Sequence, residues 1–241
     1  MKTHYKIISY SAVLSSLLIL SGCHSNDNVS SGGNTNDNKR SYTVSVSNLT
    51  GNQPLSPVGL VLDKEGFKAW MTGQTANEAL EQLAEGGDAS ALVSQASALA
   101  SNLATTTGTG AIASGMSQQF TLSATDASSA KLTVFSMLIN TNDAFTGVNA
   151  VSLDALMVDQ ELVLDVPAYD AGTELNSEEA GTMPGPADGG EGFNAARDDL
   201  LDKVTIHQGV ISQDDGLASS ILDQSHRFDN PVARVIITRT E

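Results

Sequence analysis

The chain has 241 residues, with 12 Lys and Arg against 28 Asp and Glu, a formal net charge of −16 and only 5% aromatic residues. Such an acidic surface repels nucleic acid and anionic lipid; it suits divalent cations, or simply solubility in a salty or extracellular medium. With so few rings the core must come mainly from Val, Leu, Ile and Ala, and a single cysteine excludes an internal disulfide.

Lys2 and Lys6 make a basic start, and Ile7 to Leu20 is an apolar run broken only by serines and a tyrosine. Its length fits the core of a signal peptide and is short for a membrane-spanning helix. Leu20-Ser21-Gly22-Cys23 resembles the lipobox of bacterial lipoproteins. That resemblance implies a signal peptide over 1–22, cleavage before Cys23, and lipid on its thiol and new amine. One acyl chain binds a bilayer marginally, whereas several hold firmly. The alternative is an ordinary secreted protein with Cys23 incidental. His24 stands where an Asp would favour inner-membrane retention, so the sequence leans to the outer membrane of the cell envelope. From Ser25 to Arg40 the only apolar residue is Val29, so 23–41 is expected to be a flexible tether, its sixteen-residue polar part spanning roughly 20–25 Å. Asn34 to Asn38 faintly suggests a calcium loop but lacks the turn glycine and closing glutamate, and reads as linker. Residues 42–241 then suit one domain of about 200 residues.

Tyr42, Val44 and Val46 alternate with Thr43, Ser45 and Ser47, the period of a half-buried strand. Asn48 to Pro57 reads as a loop and Val58 to Leu62 as a short strand. Thr75 and Glu78 fit a capping box opening a helix through Ala76, Ala79, Leu80 and Leu83, which Gly86-Gly87 stops. A second helix is expected near Asp88, with an apolar face of Leu92, Ala96, Leu99 and Leu103, ended by 105–110. Phe120, Leu122 and Ala124 alternate again. The nearly unbroken apolar run from Lys131 to Ile139 suits a strand buried on both faces. Further strands are expected at 148–158, 161–166, 204–207 and 232–238. Between Pro167 and Asp202 lies a long stretch of Gly, Pro and acids, functional or mobile by its length. The elements predict a mainly β antiparallel sandwich with a short helical insertion at about 75–104 and a long acidic Gly/Pro-rich loop.

Several segments together resemble the spondin domain family. Leu55-Ser56-Pro57 is similar to its opening motif, and Leu80 to Ala89 to its helical segment. Leu132 to Gly147, with Asn142-Asp143-Ala144-Phe145-Thr146-Gly147, is similar to its strand and loop. Tyr169-Asp170-Ala171-Gly172-Thr173 matches its YDAGT, and Pro231 to Val235 its closing strand. The chain departs in having Ala144 where animal relatives have Trp, and in having no disulfide; the stretch 182–192 is typical of bacterial members. The resemblance implies a C2-like sandwich and a divalent cation, calcium before others, held by loop carboxylates at one end. It also implies adhesion or recognition of a protein or glycan.

Asp143 and Asp170 fall in two of these motifs, each shortly after an apolar strand, one ending at Ile139 and the other at Val166. If those strands are neighbours, both carboxylates reach one rim and repel unless a cation lies between them; calcium takes six to eight oxygens. Asn140, Asn142 and Glu174 are close enough in sequence to add oxygens. The family's third acidic ligand is expected near Ala124, where Asp126 is the nearest carboxylate. The bland reading is that Asp143 and Asp170 shape turns through backbone hydrogen bonds. The loop acids Glu174, Glu178, Glu179, Asp188, Glu191, Asp198, Asp199 and Asp202 read as a solvated charged face or a second cation surface. His207 and His226 are the only histidines of the expected domain and sit in no catalytic motif; Phe67 and Trp70 read as packing, and no glycine loop cradles phosphate. The expectation is a non-enzymatic, membrane-anchored binding module. A purely structural envelope or matrix lipoprotein without metal is the alternative, and a hydrolase a lesser one.

Overall fold

The computed structural model describes residues 39–199 and 201–241. The signal peptide, Cys23 and nearly all of the expected tether lie outside the described residues.

Among the described residues ten strands form two sheets. The four-stranded sheet has the order β4-β1-β10-β7 and the six-stranded sheet the order β3-β2-β5-β6-β8-β9, with every pairing antiparallel. β1 spans Arg40–Asn48 and buries Tyr42, Val44 and Val46 as the alternation predicts; its start takes Arg40 and Ser41 from the expected tether into the fold. It lies between β4 (Ser117–Ala124) and β10 (Ala233–Arg239), and β7 (Glu161–Val166) closes the sheet. Tyr42, Val44, Leu122, Leu164, Val235 and Ile237 from this sheet meet Leu60, Leu62, Leu132 and Val134 from β2 (Gly59–Asp63) and β5 (Lys131–Met137). The other face of the six-stranded sheet, with Val61, Phe135 and Phe145, carries the helices through Leu80, Leu83, Leu92 and Ala96. β5 is therefore covered on both sides, which is why its sequence does not alternate.

The helices are α1 (Glu78–Gly86) and α2 (Ser90–Ser97). The expected capping box is displaced: Asn77 is the N-cap, and its side chain accepts from the Leu80 amide at 2.9 Å. Asn caps as well as Thr, and here it stands where the third helical amide can reach it. Gly87 stops α1 in the left-handed conformation, φ 68°. The helical insertion ends at Ser97, not near 104. Leu99 is exposed and Leu103 belongs to a strand, β3 (Asn102–Thr107), which pairs with β2. The four-residue spacing of Leu99 and Leu103 imitates a helical face, whereas the β-branched threonines complete a sheet edge.

β6 spans Ala144–Ser152, earlier than expected, and Leu153 to Val158 forms turns. Gly147 has φ +151°, and a Cβ there would stand 1.9 Å from the Val134 carbonyl oxygen of β5. Two short strands complete the sheet, β8 (Ala168–Asp170), not anticipated, and β9 (Thr205–Ile206). At one pole Lys39 pairs with Glu241 and Arg40 approaches Asp154. The opposite pole carries Asn48, Gln53, Asn140 and Asp143, joined in part by Gln53 Nε2 donating to the Asn140 carbonyl at 3.2 Å. Among the described residues no helix is long and apolar enough to cross a membrane.

Candidate functional site

Asp143 and Asp170 do meet at one rim, by a different route from that expected. β5 and β7, the strands they follow, belong to different sheets. The meeting is made by β6 and β8: Asp143 immediately precedes β6, Asp170 ends β8, and Ala144 pairs with Asp170 across the ladder. The Ala171 amide donates to the Asp143 carbonyl at 3.3 Å.

Asp143 is fully buried. Its Oδ2 accepts from the backbone amides of Thr173 (2.8 Å) and Glu174 (3.2 Å) and from the Thr173 hydroxyl (3.3 Å). Its Oδ1 is buried without a hydrogen-bond partner. Burial, and then the charge of Asp170, push its pKa up to about 7 against the three hydrogen bonds. Asp170 Oδ1 accepts from the Gly172 amide at 2.8 Å, and Oδ2 from Asn176 Nδ2 at 2.6 Å. Among the described residues no ion pair joins Asp143, Asp170 or Glu174 to a basic side chain.

Negative charge accumulates around the pair. Glu174 is pushed up to about 8 by burial, then by the charges of Glu85, Asp143, Asp198 and Glu191. Glu85, on α1, is fully buried; Oε2 accepts from the Asn194 amide at 2.8 Å and Oε1 has no partner. Burial raises its pKa, while the Asn194 amide and the Thr173 hydroxyl lower it. Thr173, whose hydroxyl donates to Asp143 Oδ2, thus lies between Asp143 and the surroundings of Glu85. Above them opens a cleft of about 260 Å³ lined by Asn142, Glu174, Glu179, Glu191, Asn194 and Asp198.

The other expected contributors divide. Glu174 belongs to the rim. Asn142 reaches it, but its Oδ1 accepts from the Glu178 amide and its Nδ2 donates to Thr182 Oγ1. Asn140 is likewise committed, accepting from the Ala187 amide and donating to the Asn52 carbonyl. Asp126 does not belong: it lies before β5 while Asp143 lies after it, a seven-residue strand apart, or roughly 23 Å. It is exposed and pairs with Lys64 at 2.5 Å. Ala124, where the third acid was sought, shares that far pole, opposite Arg40. Glu85 is the acid the sequence reading passed over, although it lies in Leu80 to Ala89. Its signal was a glutamate at a buried helical position with no basic neighbour in sequence.

The long loop is tied down rather than merely solvated. Arg197 forks onto Glu81 (3.1 and 2.6 Å) and also holds Asp202 at 2.9 Å. Glu178 is buried, its Oε1 accepting from the Ile211 amide at 3.2 Å, and burial pushes its pKa up to about 7. His207 is buried and accepts the Gly209 amide on Nδ1, with Asn176 at Nε2; burial lowers its pKa. His226 sits against Asp223 and Asn52, and the Ser225 hydroxyl donates to Asp223, not to the imidazole.

Among the described residues no three His, Cys, Asp or Glu side chains converge closely enough to hold a metal ion. The site is a carboxylate pair with further acids beyond it, not a closed cage. The chemistry still fits a hard cation in one respect. A buried carboxylate oxygen, Asp143 Oδ1, has a second carboxylate charge beside it, and among the described residues no ion pair offsets either.

A sandwich of two antiparallel sheets, with a helical pair on one face and an acidic rim at one pole, defines a scaffold for loop-borne binding. The family model Spondin_N matches residues 54–183. That is more than half of the chain, and the chain belongs to this family. The matched span runs from before β2 to within the acidic loop and contains Glu85, Asp143 and Asp170; β1, β9 and β10 lie outside it. No curated protein matches the chain. Membership fits a binding or adhesion-type module of the extracellular kind.

Proposed function

We propose that this protein is a non-enzymatic binding module of the spondin type, exported and held at the outer membrane by lipid on Cys23. Its rim takes a divalent cation, calcium by the hardness of the donors. Asp143 and Asp170 would hold the ion. Glu174 and Glu85 are the further acids within the rim's field, with carbonyls and water completing the shell. The ion supplies positive charge beside two carboxylates that no ion pair among the described residues offsets. The observation that carries this is the buried, partnerless Oδ1 of Asp143 beside a second carboxylate. The ligand would be a protein or glycan meeting the loops around the ion, not nucleic acid. Both imidazoles are occupied by structural partners and neither takes a serine hydroxyl, so we assign no catalytic role to His207 or His226.

Calorimetry with calcium on the purified protein tests the reading. Binding heat is expected in the intact protein and its loss with Asp143→Ala plus Asp170→Ala; no heat, or the same heat in the double variant, removes it. For the anchor, Cys23→Ala should move the protein from the membrane fraction to the soluble one. One observation favours a second reading, a structural envelope lipoprotein without metal: the described residues contain no group of three converging ligands. It predicts the same melting temperature with calcium and with chelator.

A further inference from the structure

Asp170 is held by a chain of neutral hydrogen bonds that begins outside the rim. The Gly209 amide donates to His207 Nδ1 at 3.0 Å. That nitrogen must accept, so in the neutral ring the proton lies on Nε2. Nε2–H then donates to Asn176 Oδ1 at 3.1 Å. With its oxygen fixed, the Asn176 amide turns Nδ2 to Asp170 and donates to Oδ2 at 2.6 Å. Reversing the amide would set N–H against N–H and oxygen against carboxylate, so one proton arrangement satisfies all three links. The imidazole is itself fixed, with its ring centre 5.3 Å from that of Phe228 and its backbone amide donating to the Ala168 carbonyl at 3.1 Å.

We infer that His207 and Asn176 are positioning residues that hold the Asp170 carboxylate beside Asp143 for a divalent cation. This rests on the cation reading above and deepens it. Two carboxylates left alone would swing apart under their mutual repulsion. A lysine or arginine would hold Asp170 but cancel the charge the ion needs. A neutral amide backed by a neutral imidazole fixes the carboxylate and leaves its full charge for the metal. Each Asp170 oxygen takes one N–H and keeps capacity to accept a further partner.

The test compares calcium calorimetry on the whole protein with that on Asn176→Leu and His207→Phe, alongside melting in chelator and a long-range ¹H–¹⁵N spectrum of the wild-type imidazoles. The expected results are calcium binding in the wild type, a loss of affinity of about tenfold to a hundredfold in each variant, and a proton on Nε2 of His207. A merely structural role would lower the melting temperature in chelator without moving the dissociation constant. Unchanged affinity in folded variants overturns the positioning role and leaves the cation reading standing. No binding in the wild type overturns both. A proton on Nδ1 of His207 overturns the positioning role whether or not either variant folds.

Discussion

Replacing Asp143 by Asn tests whether the rim carries an unbalanced charge. The ordinary aspartate value of 3.8 is raised in the folded protein to about 7. The native state therefore binds more protons between those values, and stability falls as pH rises from about 4 through 7, then stays low. At 1.36 kcal/mol per unit, a shift of roughly three units makes the ionised carboxylate a burden on the order of 4 kcal/mol above pH 7. In Asp143→Asn the side chain would be neutral throughout, and its carbonyl could still accept from Thr173 and Glu174. Its amide nitrogen would replace the partnerless oxygen, an unsatisfied group costing about 1–3 kcal/mol. The expected net effect in chelator at pH 8 is a stabilisation of about 1–3 kcal/mol, a rise of several degrees in melting temperature at about 2–4 °C per kcal/mol. At pH 5, where native Asp143 is already protonated, the advantage should vanish. With saturating calcium the order should reverse, because only the aspartate recovers its charge energy through the ion. Calorimetric melting at both pH values, with chelator and with calcium, reads all of this. An Asp143→Asn variant less stable than the wild type in chelator at pH 8 would refute the unbalanced charge.

Gly147→Ala should lose at least about 3 kcal/mol in denaturant unfolding, because its Cβ would enter the Val134 carbonyl and part β6 from β5. Arg197→Met leaves the buried Glu81 without its fork and should destabilise by about 3 kcal/mol; limited proteolysis should then cut first in the acidic loop. Asp126→Asn should leave calcium affinity and melting temperature unchanged, since that carboxylate is exposed at the far pole; a drop in affinity would return it to the site.

Strands with a strict two-residue period were legible because each has one wet face. β1 shows its buried tyrosine and valines directly, and β7 falls within its expected bounds. The short strands were not. β8 has three residues and is a strand only because β6 and β9 flank it. β3 was hidden by leucines at a helical spacing. The site shows the same division. Asp143 and Asp170 stood out through their motifs, but the reason they meet is a pairing between elements that sequence neighbours do not announce. Glu85, Asn176 and His207 come from three distant segments, and their value lies in burial and hydrogen bonding that no spacing reports. Asp126 drew attention by proximity in sequence to a strand whose other end carries the rim.

The placement of β1 has a mechanical corollary. The chain enters β1 at Arg40, at the pole opposite the rim, and β1 is laced on one side to β4 and on the other to β10 along nearly its whole length. A ligand gripped at the rim and a tether pulling at residue 39 would load that strand along its own axis. Both ladders would then have to slide at once, with their hydrogen bonds sheared in parallel rather than peeled one by one.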